Sequence, residues 1–322
     1  MFGAVVWTVR PVSGPSGRGP RTAVGGLASH TMTDVQRWRR QGHDRLLAGR
    51  RIFTVDRPAQ EEEDGPPLLL VHGFPTCGAD WRHVLPLLGR RRRVLVVDLL
   101  GYGLSEKPDL PYSLDVQADV LEAFVDDVGL SGQPIVLITH DMGDSVGGEL
   151  LARILEGRSS VVVDRRVLTN GSIFIEDADL RVGQKLLLAV GDRAVPLPAV
   201  QAMFRRGLPE VFGPCTQPSE EEMDLQWALL SHDGGQRLYP RLIRYLPERR
   251  RRQDRWTGAI TAHASPLTVV WGALDPVAGL GMAVRLKQQR PDLELVVLDD
   301  VGHFPMIEAP EAFADVVLTA LT

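Results

Sequence analysis

Short apolar runs alternate with amphipathic stretches along most of the chain. Helical periodicity appears at residues 35–40 and in DWRHVLPLL, SLDVQADVLEAFVDDVG, GDSVGGELLARILEG and PEAFADVVLTAL. Seven apolar runs bounded by turn residues predict strands at Arg51–Val55, Leu68–Val71, Val94–Leu99, Ile135–Thr139, Arg166–Thr169, Leu267–Trp271 and Leu293–Leu298. Continuous apolar strands separated by helices predict an α/β fold with a mostly parallel, doubly wound sheet covered on both faces.

The alternation of strands and helices breaks between residues 173 and 262. This segment contains the helix-like runs GQKLLLAV, EEEMDLQWALL and LYPRLIRYL and no clear strand. The sequence therefore predicts a core of residues 32–172 and 263–322, with a helical cap at residues 173–262. Ligands of open α/β sheets bind at the carboxyl edge of the strands, so the cap is a candidate lid.

The first 31 residues differ in composition from the rest. They are rich in Gly, Pro, Ser and Arg, and Met32 opens MTDVQRWRR like a natural start. We expect residues 1–31 to be disordered or to result from a mis-assigned start codon. No basic segment precedes the apolar stretch FGAVVWTV, which argues against a signal peptide.

Composition narrows the class of protein. A net charge of −5 with 44% hydrophobic residues argues against a nucleic-acid binder with a basic surface. No apolar stretch approaches the ~18 residues that span a membrane, so no stable membrane insertion is expected. Cys77 and Cys215 are too few for a disulfide framework and lie outside any metal-ligand spacing, which fits a reducing cytoplasm.

The basic residues are almost all arginine, which suggests a GC-rich bacterial genome; the only lysines are Lys107, Lys185 and Lys287. The arginine runs at residues 90–93 and 249–252 are interpreted as solvated loops or helix ends rather than as anion-binding patches. No metal or organic cofactor is expected, and a small apolar molecule is the expected binding partner.

The stretch LITHDMGDSVGG places an aspartate at a strand-to-helix corner. Such a tight turn exposes its central residue, here Asp141, above the N-terminus of the next helix. The positions two before and two after it must be small because the backbone doubles back on them; Gly143 meets this requirement, whereas Thr139 is bulkier than the usual glycine. The helix N-terminus is expected to lower the pKa of Asp141. The alternative is that Asp141 only caps the helix.

A second motif, VHGFPTCGADW, directly follows the second predicted strand. Its turn can present the backbone N–H of Phe74 beside that of Met142, and two such donors form an oxyanion hole in this architecture. The alternative is a simple strand-ending turn in which His72 is structural.

Two further polar residues follow the last two strands. Asp275 lies in VVWGALDPV and His303 in LDDVGHFPMIEAP. Nucleophile, acid and histidine occur in this chain order in hydrolases of this architecture. Alone, Asp275 is typical of a turn and His303 could equally be packed structurally, and Asp299, Asp300 and Asp177 remain alternatives for the acid.

From about Trp38 onward, HGFPT, DLLGYGLSEKP, HDMGD, TNGSIF, PEVFGPCTQPSE, RRRRQDRW and ALDPV resemble motifs of the α/β-hydrolase superfamily. The resemblance is to its aspartate-nucleophile branch of epoxide hydrolases and dehalogenases, and most of all to the mesoderm-specific transcript family. It implies that Asp141 is the nucleophile, His303 the general base and Asp275 its orienting acid. It also implies a lid tyrosine that polarises an epoxide oxygen, a position that Tyr245 matches. The alternative is that Tyr245 only packs on the face of an amphipathic helix. The first of the two lid tyrosines that the resemblance implies is not evident.

A carboxylate at the corner suits displacement at an sp3 carbon, which leaves an alkyl ester that activated water then hydrolyses. We therefore expect hydrolysis of an apolar epoxide to a diol. The alternatives are a dehalogenase, an esterase-like hydrolase and a non-catalytic binding protein of the same fold. Dehalogenation is disfavoured because Phe74, Met142 and Ser145 stand where dehalogenases of this branch carry halide or carboxylate donors. Asp144 is expected to cap the helix; alternatively, it raises the pKa of Asp141 by repulsion.

Overall fold

A computed structural model describes residues 8–10, 33–191 and 196–322 of the chain. The strands are β1 (Thr8–Arg10), β2 (His43–Leu47), β3 (Arg50–Arg57), β4 (Leu68–Val71), β5 (Val94–Val97), β6 (Pro134–His140), β7 (Val162–Thr169), β8 (Leu267–Gly272) and β9 (Glu294–Leu298). They form one sheet in the order β1-β9-β8-β7-β6-β4-β5-β3-β2. The pairs β2–β3 and β3–β5 are antiparallel and all others are parallel.

Helices cover both faces of the sheet and fill the segment between β7 and β8. They are α1 (Asp34–Arg39), α2 (Leu85–Leu88), α3 (Leu114–Asp127), α4 (Met142–Leu155), α5 (Val182–Val190), α6 (Leu197–Gly207), α7 (Glu220–Ser231), α8 (Tyr239–Leu242), α9 (Tyr245–Ala262), α10 (Leu280–Gln289), α11 (Pro305–Glu308) and α12 (Pro310–Ala320). Every residue of β4, β5 and β8 is buried, as two covered faces require. The predicted α/β fold is confirmed.

All seven predicted strands are present, with ends that differ by a few residues. The strands β1 and β2 are additions. The sequence of β2, HDRLL, is mostly polar and partly exposed because it forms one edge of the sheet. The run DWRHVLPLL forms a 3-10 turn at Gly78–His83 followed by the short helix α2, rather than one helix.

The segment of residues 173–262, called here the helical insertion, contains α5 to α9 and no strand among its described residues. Its last helix, α9, packs against α4, the helix that follows the strand-to-helix corner. Within the N-terminal segment of residues 1–31, the structure describes only residues 8–10, which pair with β9; the rest of that segment lies outside the described residues. None of the described helices is long and apolar enough to cross a membrane.

The interpretation of the two arginine runs is correct for the first and wrong for one residue of the second. The run at residues 90–93 forms the partly exposed turn between α2 and β5. The second run lies inside α9, where Arg249 is 0% exposed. A helix of 3.6 residues per turn directs part of any four-residue run toward the core, and Arg249 is that residue.

Candidate active site

The corner between β6 and α4 is a strained turn centred on Asp141. Its backbone has φ 50° and ψ −115°, a left-handed conformation that is unfavourable for a residue with a side chain. Two glycines permit the turn. A Cβ on Gly73 would lie 2.5 Å from the Cβ of Asp141, and one on Gly143 would lie 2.6 Å from the carbonyl oxygen of Val71. Neither glycine therefore has room for a side chain, and the segments of β4 and α4 on either side of Asp141 can approach closely.

The side chain of Asp141 is buried and accepts a hydrogen bond from the backbone N–H of Phe74 at 2.9 Å. It makes no side-chain hydrogen bond that caps α4. Burial raises the pKa of this carboxyl, although nearby His303 and the N–H groups of Phe74 and Met142 act in the opposite direction. The expected lowering of the pKa is therefore wrong, because loss of solvent outweighs the helix N-terminus.

His303 and Asp275 form a buried hydrogen-bonded pair. The Nδ1 atom of His303 lies 2.7 Å from Oδ2 of Asp275. Burial favours the neutral imidazole, but the Asp275 carboxylate overrides it and raises the pKa of His303 to about 9. Asp275 is itself fixed, because its Oδ1 accepts the N–H groups of Val277 and Ala278 and its Oδ2 accepts the amide of Asn170 at 2.8 Å.

The three alternative acids lie elsewhere. Asp299 and Asp300 are exposed in the turn after β9, and Asp177 forms an ion pair with Arg285 at 2.7 Å. Only Asp275 among these four aspartates contacts the imidazole of His303.

A cavity of about 280 Å³ lies over the corner and is lined by both Asp141 and His303. Phe74 and Tyr239 also line it. The remaining lining is largely apolar and comes mainly from the helical insertion: Val182, Leu186, Leu187, Met203, Phe204, Leu208 and Val211, with Val277 and Phe304 from the core. An apolar chamber with a carboxylate and an imidazole at one end is suited to a small apolar ligand that reacts there.

Two tyrosines of the helical insertion pack against Phe74 near the corner. The ring centroid of Tyr239 lies 5.2 Å from that of Phe74, and that of Tyr245 lies 5.7 Å away. Tyr239 lines the cavity, whereas Tyr245 is not among its lining residues in the described chain. Tyr245 is nevertheless close enough to Asp141 for the carboxylate charge to contribute to its raised pKa, after burial. Of the two tyrosines, the one that lines the cavity is thus Tyr239, which the sequence did not single out.

Asp144 and Arg249 are two buried polar residues that influence each other's pKa and that of Asp141. Asp144 accepts a hydrogen bond from the hydroxyl of Thr139 and does not cap α4, so the capping interpretation is wrong. Burial raises the pKa of Asp144 to about 8, with Asp141 adding to the increase. The guanidinium of Arg249 has no hydrogen-bond partner among the described residues, and Asp144 is the acidic residue that acts most strongly on its pKa. Burial lowers the pKa of Arg249 to about 10, so it remains a cation at neutral pH.

Three residues near the site were not predicted from sequence: Asn170, Arg249 and Glu308. Asn170 directly follows β7 in the motif TNGSIF, and its position after a strand end is a signal that could have identified it. Arg249 and Glu308 carry no such signal, since their partners lie in distant segments. No group of three or more His, Cys, Asp or Glu side chains in the described ranges is arranged to hold a metal ion.

Comparison with known proteins shows the family to which the fold belongs. The model of the alpha/beta hydrolase family matches residues 68–316. The LipZ protein of Mycobacterium tuberculosis is 40% identical over 293 residues, which cover 90% of this chain and 99% of LipZ. The human mesoderm-specific transcript homolog protein is 35% identical over 285 residues, 86% of this chain and 84% of its own length. A crystal structure of an alpha/beta hydrolase fold protein from Burkholderia ambifaria has a TM-score of 0.71 at 26% identity, covering 90% of this chain and 100% of that one. The resemblance stated from the motifs is confirmed.

Proposed function

The chain belongs to the alpha/beta hydrolase family, and on that premise we propose that it hydrolyses an apolar epoxide to a diol through a covalent ester on Asp141. The observation that carries the proposal is the place of a carboxylate, rather than a hydroxyl, at a strained corner that faces an apolar cavity shared with His303. We also propose that the helical insertion is the lid of this cavity.

In the first stage, a carboxylate oxygen of Asp141 attacks an epoxide carbon and the ring carbon–oxygen bond breaks. The ring oxygen takes a proton from a tyrosine hydroxyl, for which Tyr239 and Tyr245 are the candidates in the lid. Tyr239 is supported by its place on the cavity wall, and Tyr245 by its proximity to Asp141. The product of this stage is a hydroxyalkyl ester.

In the second stage, His303 takes a proton from water, and the resulting hydroxide attacks the ester carbonyl of Asp141. The N–H groups of Phe74 and Met142 stabilise the oxyanion that forms. The ester bond between the carbonyl carbon and the alkyl oxygen then breaks, and the departing oxygen takes the proton from His303. The proton left on the Asp141 carboxyl returns to the tyrosinate, which restores the enzyme.

The experiment that tests this proposal is intact mass spectrometry of the His303→Gln variant after incubation with epoxides and with alkyl halides. Without a general base, the second stage should stop and the ester should accumulate. An added mass equal to a whole epoxide, mapped by peptide analysis to Asp141, is the expected result. The double variant His303→Gln/Asp141→Asn is the control and should gain no mass.

The other outcomes separate the alternative functions. An added mass equal to an alkyl group less one hydrogen, with halides only, would assign a dehalogenase. A folded His303→Gln variant that gains no mass from either compound class would contradict the nucleophilic role of Asp141. An ester hydrolase or a non-catalytic binding protein would then be the better description.

A further inference from the structure

The backbone of His303 is held from several sides. Its N–H donates to the carbonyl oxygen of Val211 at 2.9 Å, and its own carbonyl oxygen lies 2.8 Å from Nε2 of His140. The N–H groups of the two flanking residues, Gly302 and Phe304, each donate to the carboxylate of Glu308 at 2.8 Å. The loop that carries the proposed general base is thus fixed by neighbours rather than by regular secondary structure.

The carboxylate of Glu308 also binds the helical insertion. Its Oε2 atom, which accepts the N–H of Gly302, accepts the N–H of Gly213 at 2.8 Å and the hydroxyl of Thr216 at 2.6 Å. The two backbones approach closely at this point, because a Cβ on Gly302 would lie 2.5 Å from the carbonyl oxygen of Val211. One carboxylate therefore joins residues 211–216 of the insertion, called here the lid clasp, to the His303 loop.

We propose that Glu308 is a positioning residue that makes the orientation of His303 depend on the lid clasp. Val211, in the clasp, lines the cavity, and its carbonyl oxygen accepts the N–H of His303. A ligand that contacts Val211 therefore touches the residue to which the backbone of the proposed base is bonded. This inference rests on the proposed function, since it assigns Glu308 to the second of the two stages.

A carboxylate is required for this arrangement. Glu308 accepts four donors, three of them on one oxygen, and it has no hydrogen to donate. Hydrogen bonds to a charged acceptor are also stronger than those between neutral groups. In Glu308→Gln, the amide oxygen can replace Oε2 and keep its three donors, but the amide nitrogen then replaces Oε1 and faces the N–H of Phe304, so two donors meet. We expect the His303 loop to move away from residue 308 at Phe304, next to His303, in that variant.

Separate rates for the two stages show whether Glu308 positions His303 or whether its substitution disturbs the whole active site. Attack by Asp141 on the epoxide does not use His303, whereas hydrolysis of the ester does. Glu308→Gln should leave the rate of ester formation within about 2-fold and slow ester hydrolysis by about 10- to 100-fold, as expected for a misplaced general base. The value of kcat and that of KM should fall together, while kcat/KM, which ester formation sets, should change little.

The clasp side offers a matched set of variants. Thr216→Val removes the hydroxyl that Glu308 accepts, with little change in volume, and should slow ester hydrolysis in the same direction by a smaller factor. Thr216→Ser keeps the hydroxyl and should restore the wild-type rate. Thr268→Val is the control, because it removes the hydroxyl of a threonine on β8 that contacts Glu294 at 3.4 Å and not Glu308. Its rates of ester formation and ester hydrolysis should equal those of wild type.

The experiment measures ester formation by rapid-quench mass spectrometry and ester hydrolysis by single-turnover decay for each variant. Equal slowing of both stages, unchanged hydrolysis in Thr216→Val, or failure of Thr216→Ser to restore it would overturn the inference. Because Thr216→Val removes one peripheral contact, it decides the matter even if Glu308→Gln does not fold. The His303→Gln adduct is the separate control for the proposed function. If the adduct forms but the Glu308 and Thr216 variants do not selectively slow ester hydrolysis, only this inference fails. If the adduct does not form, both the proposed function and this inference fail.

Discussion

A single buried carboxylate, that of Glu149 on α4, fastens the end of the helical insertion to the core. It accepts hydrogen bonds from Nε of Arg153 at 3.1 Å, from Nη2 of Arg252 at 3.1 Å and from Nε1 of Trp256 at 2.8 Å. Arg255 adds two more, at 2.7 and 3.1 Å. Three of these four partners belong to α9, so we predict that Glu149→Gln destabilises the whole protein although it lies away from the cavity.

The size of the effect follows from two estimates that agree. Burial raises the pKa of Glu149, but hydrogen bonds from Arg255, Trp256 and Arg153 lower it to about 2, against about 4.3 in an unfolded chain. At about 1.4 kcal/mol per unit this is about 3 kcal/mol, which we discount to about 2–3 kcal/mol because solvent reaches the arginines. Removing one member of a buried ion pair costs about 3–5 kcal/mol. The cost here should fall at the low end, because each arginine keeps a second acidic partner: Asp119, Asp115 and Glu156 respectively for Arg153, Arg252 and Arg255.

Glu156→Gln is the matched control, because Glu156 also pairs with Arg255 but its side chain is 40% exposed. An exposed ion pair contributes little to stability because solvent screens it, so Glu156→Gln should destabilise the protein less than Glu149→Gln. The free energy of unfolding should be measured by urea denaturation of both variants and wild type at pH 7 and near pH 3. A carboxylate whose pKa is lower in the folded protein stabilises it at any pH above the pKa of the unfolded chain, and this stabilisation is lost as the pH falls. The loss of unfolding free energy in Glu149→Gln relative to wild type should therefore shrink between about pH 5 and pH 2. The reasoning would be refuted if both variants lost the same unfolding free energy at pH 7. It would also be refuted if Glu149→Gln lost as much unfolding free energy near pH 3 as at pH 7.

Two further predictions concern the residues around Asp141. The double variant Tyr239→Phe/Tyr245→Phe should slow ester formation from epoxides by about 10²-fold and leave alkylation by halides unchanged, because only the ring oxygen needs a proton; equal loss with both substrates in rapid-quench assays would contradict the assignment. Arg249→Met removes a positive charge that lowers the pKa of Asp141, so the acidic limb of the pH profile of ester formation should move to higher pH. An unmoved limb in a folded Arg249→Met variant would show that this charge does not act on the nucleophile.

The sheet was predictable because its central strands are buried on both faces and appear in the sequence as unbroken apolar runs. The edge strand β2 was not, since a half-exposed strand mixes polar and apolar residues without a clear period. The corner aspartate, Asp275 and His303 were predictable as a set because each follows a strand and parallel strands bring their carboxyl ends to one edge. The roles assigned to them remain predictions.

Other parts of the site depend on contacts that no local pattern encodes. The contact between Glu308 and Gly213 joins residues 95 positions apart in the chain. Arg249 looks like its three arginine neighbours in sequence, and only the orientation of α9 against α4 places it in the core. The pKa of Asp141 was wrongly expected to fall because the helix N-terminus is visible in the sequence, whereas the extent of burial is not.

The charges around Asp141 link the two proposed stages of the reaction. In the free protein the negative charge of Asp141, after that of Asp275, helps to raise the pKa of His303 to about 9, so the imidazole is mainly protonated at neutral pH. An imidazolium cannot accept a proton from water. Formation of the ester neutralises Asp141 and removes one cause of the raised pKa, while the positive charge of Arg249 stays nearby. His303 then releases its proton more readily, so the first stage itself prepares the base that the second stage requires. A serine nucleophile carries no such charge before attack, and this coupling is therefore a consequence of having an aspartate at the corner.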